Sequence, residues 1–205
     1  MNDMGRTPKV VEDRREQIID AAMRVFAQKG FVRATNKDVA HEAGITPGLI
    51  YHYFESKEAL LQAVIEGRSP LRVIRSLSPT ILEQPPSTFL RFLALQVLSI
   101  AEDEKFVQLI RVFLPEVLHN PKISPIGSSA IQQVVYFLEG YISTKVAEGS
   151  FRPVDPLLVG QFFTSCIIGF VLRRQVLADS SALQYTQEQI ADFVADTMLK
   201  GLYLV

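Results

Sequence analysis

Apolar residues recur at helical spacing along this chain, and no stretch alternates in the manner of a β-strand. Between Asp13 and Lys29, the residues Ile18, Ile19, Ala22, Val25 and Phe26 follow the i, i+1, i+4, i+7, i+8 pattern of a helix buried along one side. Such a chain is confined to an all-α fold. Turn chemistry then cuts it into pieces. Gly30 supplies a residue that accepts positive φ at a helix end, and Phe31 can fold back over the apolar stripe. Thr35 followed by Asp38 has the form of a capping box, with Asp in place of the usual Glu or Gln. That predicts a short helix over Asn36–Ala43. Gly44 breaks it. Thr46 as N-cap and Pro47 at the first helical position start a second short helix that runs to about Phe54. Ser56 caps a longer helix with Leu60, Leu61, Val64, Ile65 and Arg68 on a shared side.

Further helices are expected at about Thr88–Glu102, Glu104–Leu118, Ser128–Val146, Pro156–Leu177 and Thr186–Leu204, which makes about nine in all. Loops at His119–Gly127, Glu148–Asp155 and Asp179–Tyr185 separate them. Ser76–Ser87, with Pro79, Pro85 and Pro86, reads as a linker. The break between two functional halves falls near Gly67–Leu71, where one continuous helix can bridge them. The expected organisation is an N-terminal three-helix helix-turn-helix domain over 10–67, followed by a C-terminal helical domain over 68–205.

Several chemistries are excluded. At 205 residues, 48% hydrophobic and 21% charged, the chain is neither disordered nor a membrane bundle. Its single cysteine, Cys166, excludes an intramolecular disulfide and an all-cysteine zinc site. Inside an apolar run it is expected to be a buried, inert thiol. His41-Glu42 opens an H-E pair, but Ile45 stands where a zinc-binding second histidine belongs. His41, His52 and His119 share no ligand spacing, and no phosphate-binding glycine loop is present. The expectation is no enzyme, no cofactor and no metal. The first residues lack the apolar core of a secretory signal. Leu157–Leu172, interrupted by Gln161, Thr164 and Ser165, falls short of the roughly 20 residues of a membrane span. A cytoplasmic protein is expected.

The informative stretch is Thr35–Lys57, TNKDVAHEAGITPGLIYHYFESK. Two short helices joined by a tight glycine turn cross steeply, as in a helix-turn-helix. Ala40 is small where the helices touch. Val39, Ile45 and Ile50 are placed to point into a shared core. The second helix is then a protruding rod, of a size that fits the DNA major groove of about 12 Å.

The segment Asp13–Glu66, about a quarter of the chain, resembles the DNA-binding domain of the TetR (tetracycline-repressor) family of bacterial transcription regulators. The resemblance rests on Ile18–Phe26, Gly30, Phe31, Thr35, Val39, Ala40, Ala43, Gly44 and Ile45. It rests above all on Gly48-Leu49-Ile50-Tyr51-His52-Tyr53-Phe54 and Ser56-Lys57-Glu58-Ala59-Leu60-Leu61. It implies that Thr35 and Thr46 cap the two motif helices and touch phosphates. Pro47, Gly48 and Leu49 would then meet base edges, Tyr51 and Tyr53 would bond phosphates, and His52 would face the groove. Lys57 resembles the family's phosphate-gripping lysine. Pro47 and Leu49 depart from the polar or basic residues of many relatives, so thymine methyls and DNA shape should carry more of the specificity. Phe54 is expected in the core.

Charge adds a condition. Over residues 1–68, ten basic residues balance ten acidic ones, so placement must do what net charge does not. Arg6, Lys9, Arg33, Lys37 and Lys57 are the candidates for the DNA side. The arm Met1–Lys9 either reaches a minor groove or is an idle tail.

In the C-terminal half, Leu157–Leu172 is apolar nearly all round and needs cover on more than one side. Gly160, Ser165 and Gly169 allow close helix approach. The last helix offers Ile190, Phe193, Val194, Thr197, Met198, Gly201 and Leu202. Two such helices from each of two chains would make a four-helix homodimer interface, which the resemblance also implies. Aromatics from Phe89 to Phe163 suit a core, and together a site for a small apolar or aromatic effector. Gln108, Arg111, Glu116 and Gln133 are candidate polar fixtures, not ranked further. The reading is a dimeric, ligand-responsive repressor on an inverted-repeat operator in double-stranded DNA. Its rivals are an activator or ligand-independent regulator on the same fold, and a helical interaction module that no longer binds DNA.

Overall fold

The computed structural model describes residues 8–68 and 70–203, with side chains from Asp13 onward. Among them are twelve α-helices and no strand. The nine expected helices are present. The three additional ones are short: α5 (Leu71–Arg75), α6 (Pro79–Leu82) and α11 (Ser180–Leu183). The chain forms two compact units. One reaches to Gly67 and includes Gln108–Ile126; the other comprises Arg68–Val107 and Gly127–Val205.

In the first unit, α1 (Pro8–Lys29) buries Ile18, Ile19, Ala22, Val25 and Phe26. It ends at Gly30, whose φ of 77° turns the chain, and Phe31 returns edge-on to Phe26 with ring centroids 5.4 Å apart. Helix α2 (Asn36–Glu42), α3 (Pro47–Tyr53) and α4 (Lys57–Arg68) follow. Gly44, at φ 63°, makes the tight turn between α2 and α3. Val39, Ala40 and Ile50 are buried as expected, and so is Ala43, whereas Ile45 is half-buried. Ser56 Oγ accepts the Ala59 amide at 3.0 Å and caps α4. Helix α4 is described to Arg68 and α5 (Leu71–Arg75) follows Pro70; residue 69, between them, lies outside the described residues.

The second unit is built on α7 (Pro86–Ala101) lying along α12 (Gln187–Leu202), with α10 (Pro156–Val171) against both. Phe89, Leu93, Phe163, Ile167, Val194 and Met198 belong to its buried core. Helix α9 (Ser124–Ala147) crosses α10 at Gly160, where an added Cβ would stand 2.9 Å from the Val135 carbonyl oxygen. Gly160 is thus the small residue that close packing requires, whereas a Cβ on Gly169 would meet nothing within 4 Å. Helix α8 (Glu104–His119) carries the boundary between the units.

Three sequence expectations need correction. The Ser76–Ser87 linker contains α6, and α7 starts inside it at Pro86. Helix α9 starts at Ser124, not Ser128. In each case a proline taken for a breaker sits in the first turn of a helix, where its missing N–H costs nothing. Helix α1 is described from Pro8, ahead of the expected start at Asp13. Second, the expected helix Pro156–Leu177 is present, as α10 continued by a π-helical turn, Leu172–Val176, but the apolar run counted within it was too short, because Pro156–Val176 spans 21 residues. By length and composition that run is long and apolar enough to cross a membrane, contrary to the sequence count, which stopped short of Arg173. Its Phe163 and Ile167 are nonetheless core residues of the folded unit. Third, Cys166 is half-buried rather than sealed, and burial pushes its thiol above the ordinary range. The expected end of α12 at Leu204 lies outside the described residues, as do Arg6 and the side chain of Lys9.

Candidate nucleic-acid interface

Helix α3 is held from one side only. Ile50 is fully buried and Phe54, at its C-cap, is buried beneath the Arg15 guanidinium, 5.2 Å from the ring centroid. The opposite side is open. Thr46, Pro47, Gly48, Tyr51 and His52 are exposed, and Leu49 and Tyr53 are half-buried. Tyr51 is 62% exposed, far beyond what a core aromatic shows. The hydroxyls of Tyr51 and Tyr53 meet no partner among the described residues, and the His52 and Tyr53 rings stand edge to face, 5.3 Å apart.

The two N-caps differ. Thr35 forms the full capping box: its hydroxyl accepts the Asp38 amide at 3.2 Å, and its own amide donates to Asp38 Oδ2 at 2.9 Å. The Thr35 hydroxyl also donates to that carboxylate at 2.8 Å. Lys29 Nζ lies 2.6 Å from the other oxygen. The Lys29 hydrogen bond, then those from the Thr35 hydroxyl and amide, lower the Asp38 carboxyl to about pKa 2. Thr46, by contrast, caps α3 by position but makes no side-chain cap bond. At the far end of α2, Gln17 Nε2 donates to the Ala43 carbonyl at 2.7 Å. That tie between α1 and the motif has no sequence signature.

The cations sort themselves. Arg24 pairs with Glu42 at 2.6 Å and Lys29 with Asp38. Arg33 is exposed and donates to the Lys29 carbonyl at 2.9 Å, and Lys37 is exposed with no partner among the described residues. Lys57 is half-buried, with its ammonium turned onto backbone carbonyls of the turn before α2.

Two further features lie in the second unit. A cavity of about 350 Å³ opens between the α5–α6 segment and α7. Leu77, Ile81, Phe92 and Ile100 give it apolar walls, and Arg72 and Gln96 give it polar ends. None of Gln108, Arg111, Glu116 or Gln133 lines it; Gln133 instead accepts from Arg75 at 3.1 Å. On α10, Leu158, Phe162 and Ile168 are exposed, as are Leu172 at the start of the π-helical turn and Phe193 on α12.

Two family descriptions match the chain. "Bacterial regulatory proteins, tetR family" covers residues 18–64, and "AefR-like transcriptional repressor, C-terminal domain" covers residues 88–201. The regulator HbdR of Aromatoleum sp. (strain CIB) is 46% identical over 54 residues, 26% of this chain and 24% of HbdR. TtgR of Pseudomonas putida is 43% identical over 62 residues, 30% of either chain. The chain therefore matches less than a third of the length of either relative. Among solved structures, FadR from Bacillus halodurans, described as a fatty acid degradation regulator, superposes with a TM-score of 0.74. It is 23% identical, over 91% of this chain and 98% of FadR. The SmeT–triclosan complex superposes at 0.73 with 20% identity, over 94% of this chain and 92% of SmeT. At such identities the likeness is one of fold.

Proposed function

Because the chain belongs to the TetR family of bacterial regulatory proteins, we propose that it is a ligand-responsive repressor that binds an inverted-repeat operator as a homodimer. Regulators of this family bind DNA, form dimers and take small-molecule effectors, and the family is not enzymatic. In this reading residues 10–67 contact DNA and residues 68–205 hold the dimer and the effector. The reading as a repressor, not an activator, rests on the description of the family that matches residues 88–201.

The observation that carries the reading is the two-sided character of α3: Ile50 anchors it while Tyr51 stands out, its hydroxyl without a partner among the described residues. Pro47, Gly48 and Leu49 meet base edges at the N-terminal end of the helix in the major groove, with His52 beside them. Thr46, Tyr51 and Tyr53 donate to phosphates and set the register. Thr35 adds a weaker contact, because its hydroxyl proton is already engaged by Asp38. The exposed apolar residues of α10 and α12 pair with their copies across a two-fold axis, which places two α3 helices on one face of the duplex. Such a protein works in the cytoplasm, where its operator is.

The effector is small, with an apolar or aromatic body, and the cavity beside Phe92 receives it. That SmeT is solved with triclosan supports the class. The effector acts by preferring a conformer whose two reading helices are wrongly spaced. It then weakens operator binding by its own difference in affinity, typically about 1–3 kcal/mol.

Replacing Tyr51 with Ala tests the assignment. Binding to duplex DNA should weaken while the dimer persists; unchanged binding removes α3 from the interface.

A further inference from the structure

We propose that the cavity beside Phe92 takes a small amphipathic carboxylic acid, with its apolar body inside and its carboxylate at the mouth, on Arg72. This ligand class rests on the reading of the cavity as the effector site.

The walls are apolar for a reason of helical spacing. On α7, Phe92, Gln96 and Ile100 recur every four residues and so share one face. All three are half-buried, whereas Phe89, Leu90, Leu93 and Ala94 of the same helix are sealed in the core. Half-buried Leu77 and Ile81 close the slot from the α5–α6 segment. The space of about 350 Å³ lies near the lower end of the roughly 300–1,000 Å³ of small-molecule sites. A short hydrocarbon or single-ring body gains by leaving water there.

The polar groups of the lining divide into engaged and available. Ser76 Oγ donates to the Val73 carbonyl at 3.1 Å, and the Ser78 and Thr80 hydroxyls share a hydrogen bond of 2.8 Å. Arg72 and Gln96 have no side-chain partner among the described residues. Arg72 is also the one charged residue among those lining the cavity, and it is exposed, so the charge sits at the rim. Its neighbours Leu71 and Val73 are buried, which anchors the backbone that carries it.

This arrangement selects by charge. A guanidinium presents parallel N–H donors that match the two oxygens of a carboxylate, and it repels an ammonium. One cation balances one negative charge; a phosphate, with close to two, would keep an excess. The Gln96 amide both donates and accepts, so it adds polarity without a preference of sign. An acid with a short apolar tail satisfies rim and slot together, and its neutral analogue satisfies the slot alone.

The experiment uses the full-length wild type and three probes with one body: hydrocinnamate, hydrocinnamyl alcohol and the corresponding phenylpropylammonium. Calorimetry reads affinity, and isoleucine methyl NMR reads location. The acid should bind about fivefold tighter than the alcohol, a modest factor because the guanidinium is solvated at the rim, and the ammonium should bind most weakly. The acid should shift the methyl signals of Ile81 and Ile100 and leave that of Ile18, in the other unit, unmoved. Arg72→Gln should bring the acid down to the affinity of the alcohol without changing the alcohol, and Arg72→Lys should restore part of the difference. Equal binding of acid and alcohol to the wild type, or a preference for the acid that survives Arg72→Gln, overturns the proposal. Should a variant not fold, the wild-type ranking of the three probes decides. If all three probes move Ile81 and Ile100 alike, the acid class fails and the cavity remains a ligand site. If none moves them, both fail. If the acid binds as expected and DNA affinity does not respond, the effector reading fails and the acid site stands.

Discussion

Arg174 and Glu102 stand 72 residues apart in the chain and close on each other with side chains only 10% and 7% exposed. Arg174 Nη2 donates to Glu102 Oε2 at 3.1 Å, and Gln187 Nε2 donates to the same oxygen at 2.8 Å. The guanidinium also donates to the carbonyls of Ala182, at 3.1 Å, and Tyr185. One arginine on the π-helical turn thereby joins the C-cap of α7, the short α11 and the start of α12. Burial alone would raise the Glu102 carboxyl. The bonds from Arg174 and Gln187, with the guanidinium charge, outweigh it and hold the group below the ordinary range. Arg174→Met leaves that carboxylate buried without its countercharge and should cost about 3 kcal/mol, read from denaturant unfolding. Because the folded pKa is lowered, the pair's contribution is whole above the ordinary glutamate pKa of about 4.3 and is lost as pH falls below it. The gap in stability between wild type and Glu102→Gln should therefore narrow on acidification.

The Thr35 cap makes a second prediction. Thr35→Ala removes a side-chain acceptor from the first turn of α2 and should destabilise the protein by about 1 kcal/mol. It also removes a donor from Asp38, so the Asp38 carboxyl should titrate above the wild-type value of about 2. In the wild type, Asp38 stabilises fully above the ordinary aspartate pKa of about 3.9, and that contribution disappears as pH falls toward about 2. Carboxyl-detected NMR titration of both proteins checks the direction.

Gly48 separates fold from function. A Cβ built there meets nothing within 4 Å, and its φ is not in the left-handed region. Gly48→Ala should raise stability by about 0.5–1 kcal/mol through helix propensity. If Gly48 lies against base edges, the same methyl should lower DNA affinity by about tenfold. A variant that is more stable and binds DNA equally well would remove Gly48 from the interface.

Phe193 tests the dimer face. It is 65% exposed on α12, whose opposite side is packed in the core. Phe193→Asp should sediment at the mass of one chain, where the wild type sediments at two, with helicity retained. Operator affinity should fall with it, because one reading helix then binds without its mate.

The boundaries from Gly30 to Ser56 were readable in the sequence because each has local chemistry. Gly30 and Gly44 adopt the positive φ their positions suggest, and Thr35 with Asp38 closes the capping box although Asp is shorter than Glu. Prolines misled wherever they stood in a cluster. Pro79, Pro86 and Pro125 start helices, and only the backbone that follows distinguishes a starter from a breaker. The exposed set from Thr46 to His52 follows from helical periodicity around Ile50. The destination of the Lys57 ammonium does not: a four-carbon stem reaches phosphate or carbonyl equally, and the turn that collects it is defined by tertiary packing. The same holds for Gln17 on Ala43 and for Arg174 on Glu102, since no local pattern links residues so distant in the chain.

In the proposed repressor, a two-fold pair of exposed α3 helices reads two copies of one short sequence. Selection of duplexes from random-sequence DNA by the full-length wild-type protein, followed by sequencing of those retained, tests it most directly. The expected result is enrichment of an inverted repeat with half-site centres about one duplex turn, or a whole multiple of it, apart. Retention of single half-sites, or no enrichment above the starting pool, would contradict it.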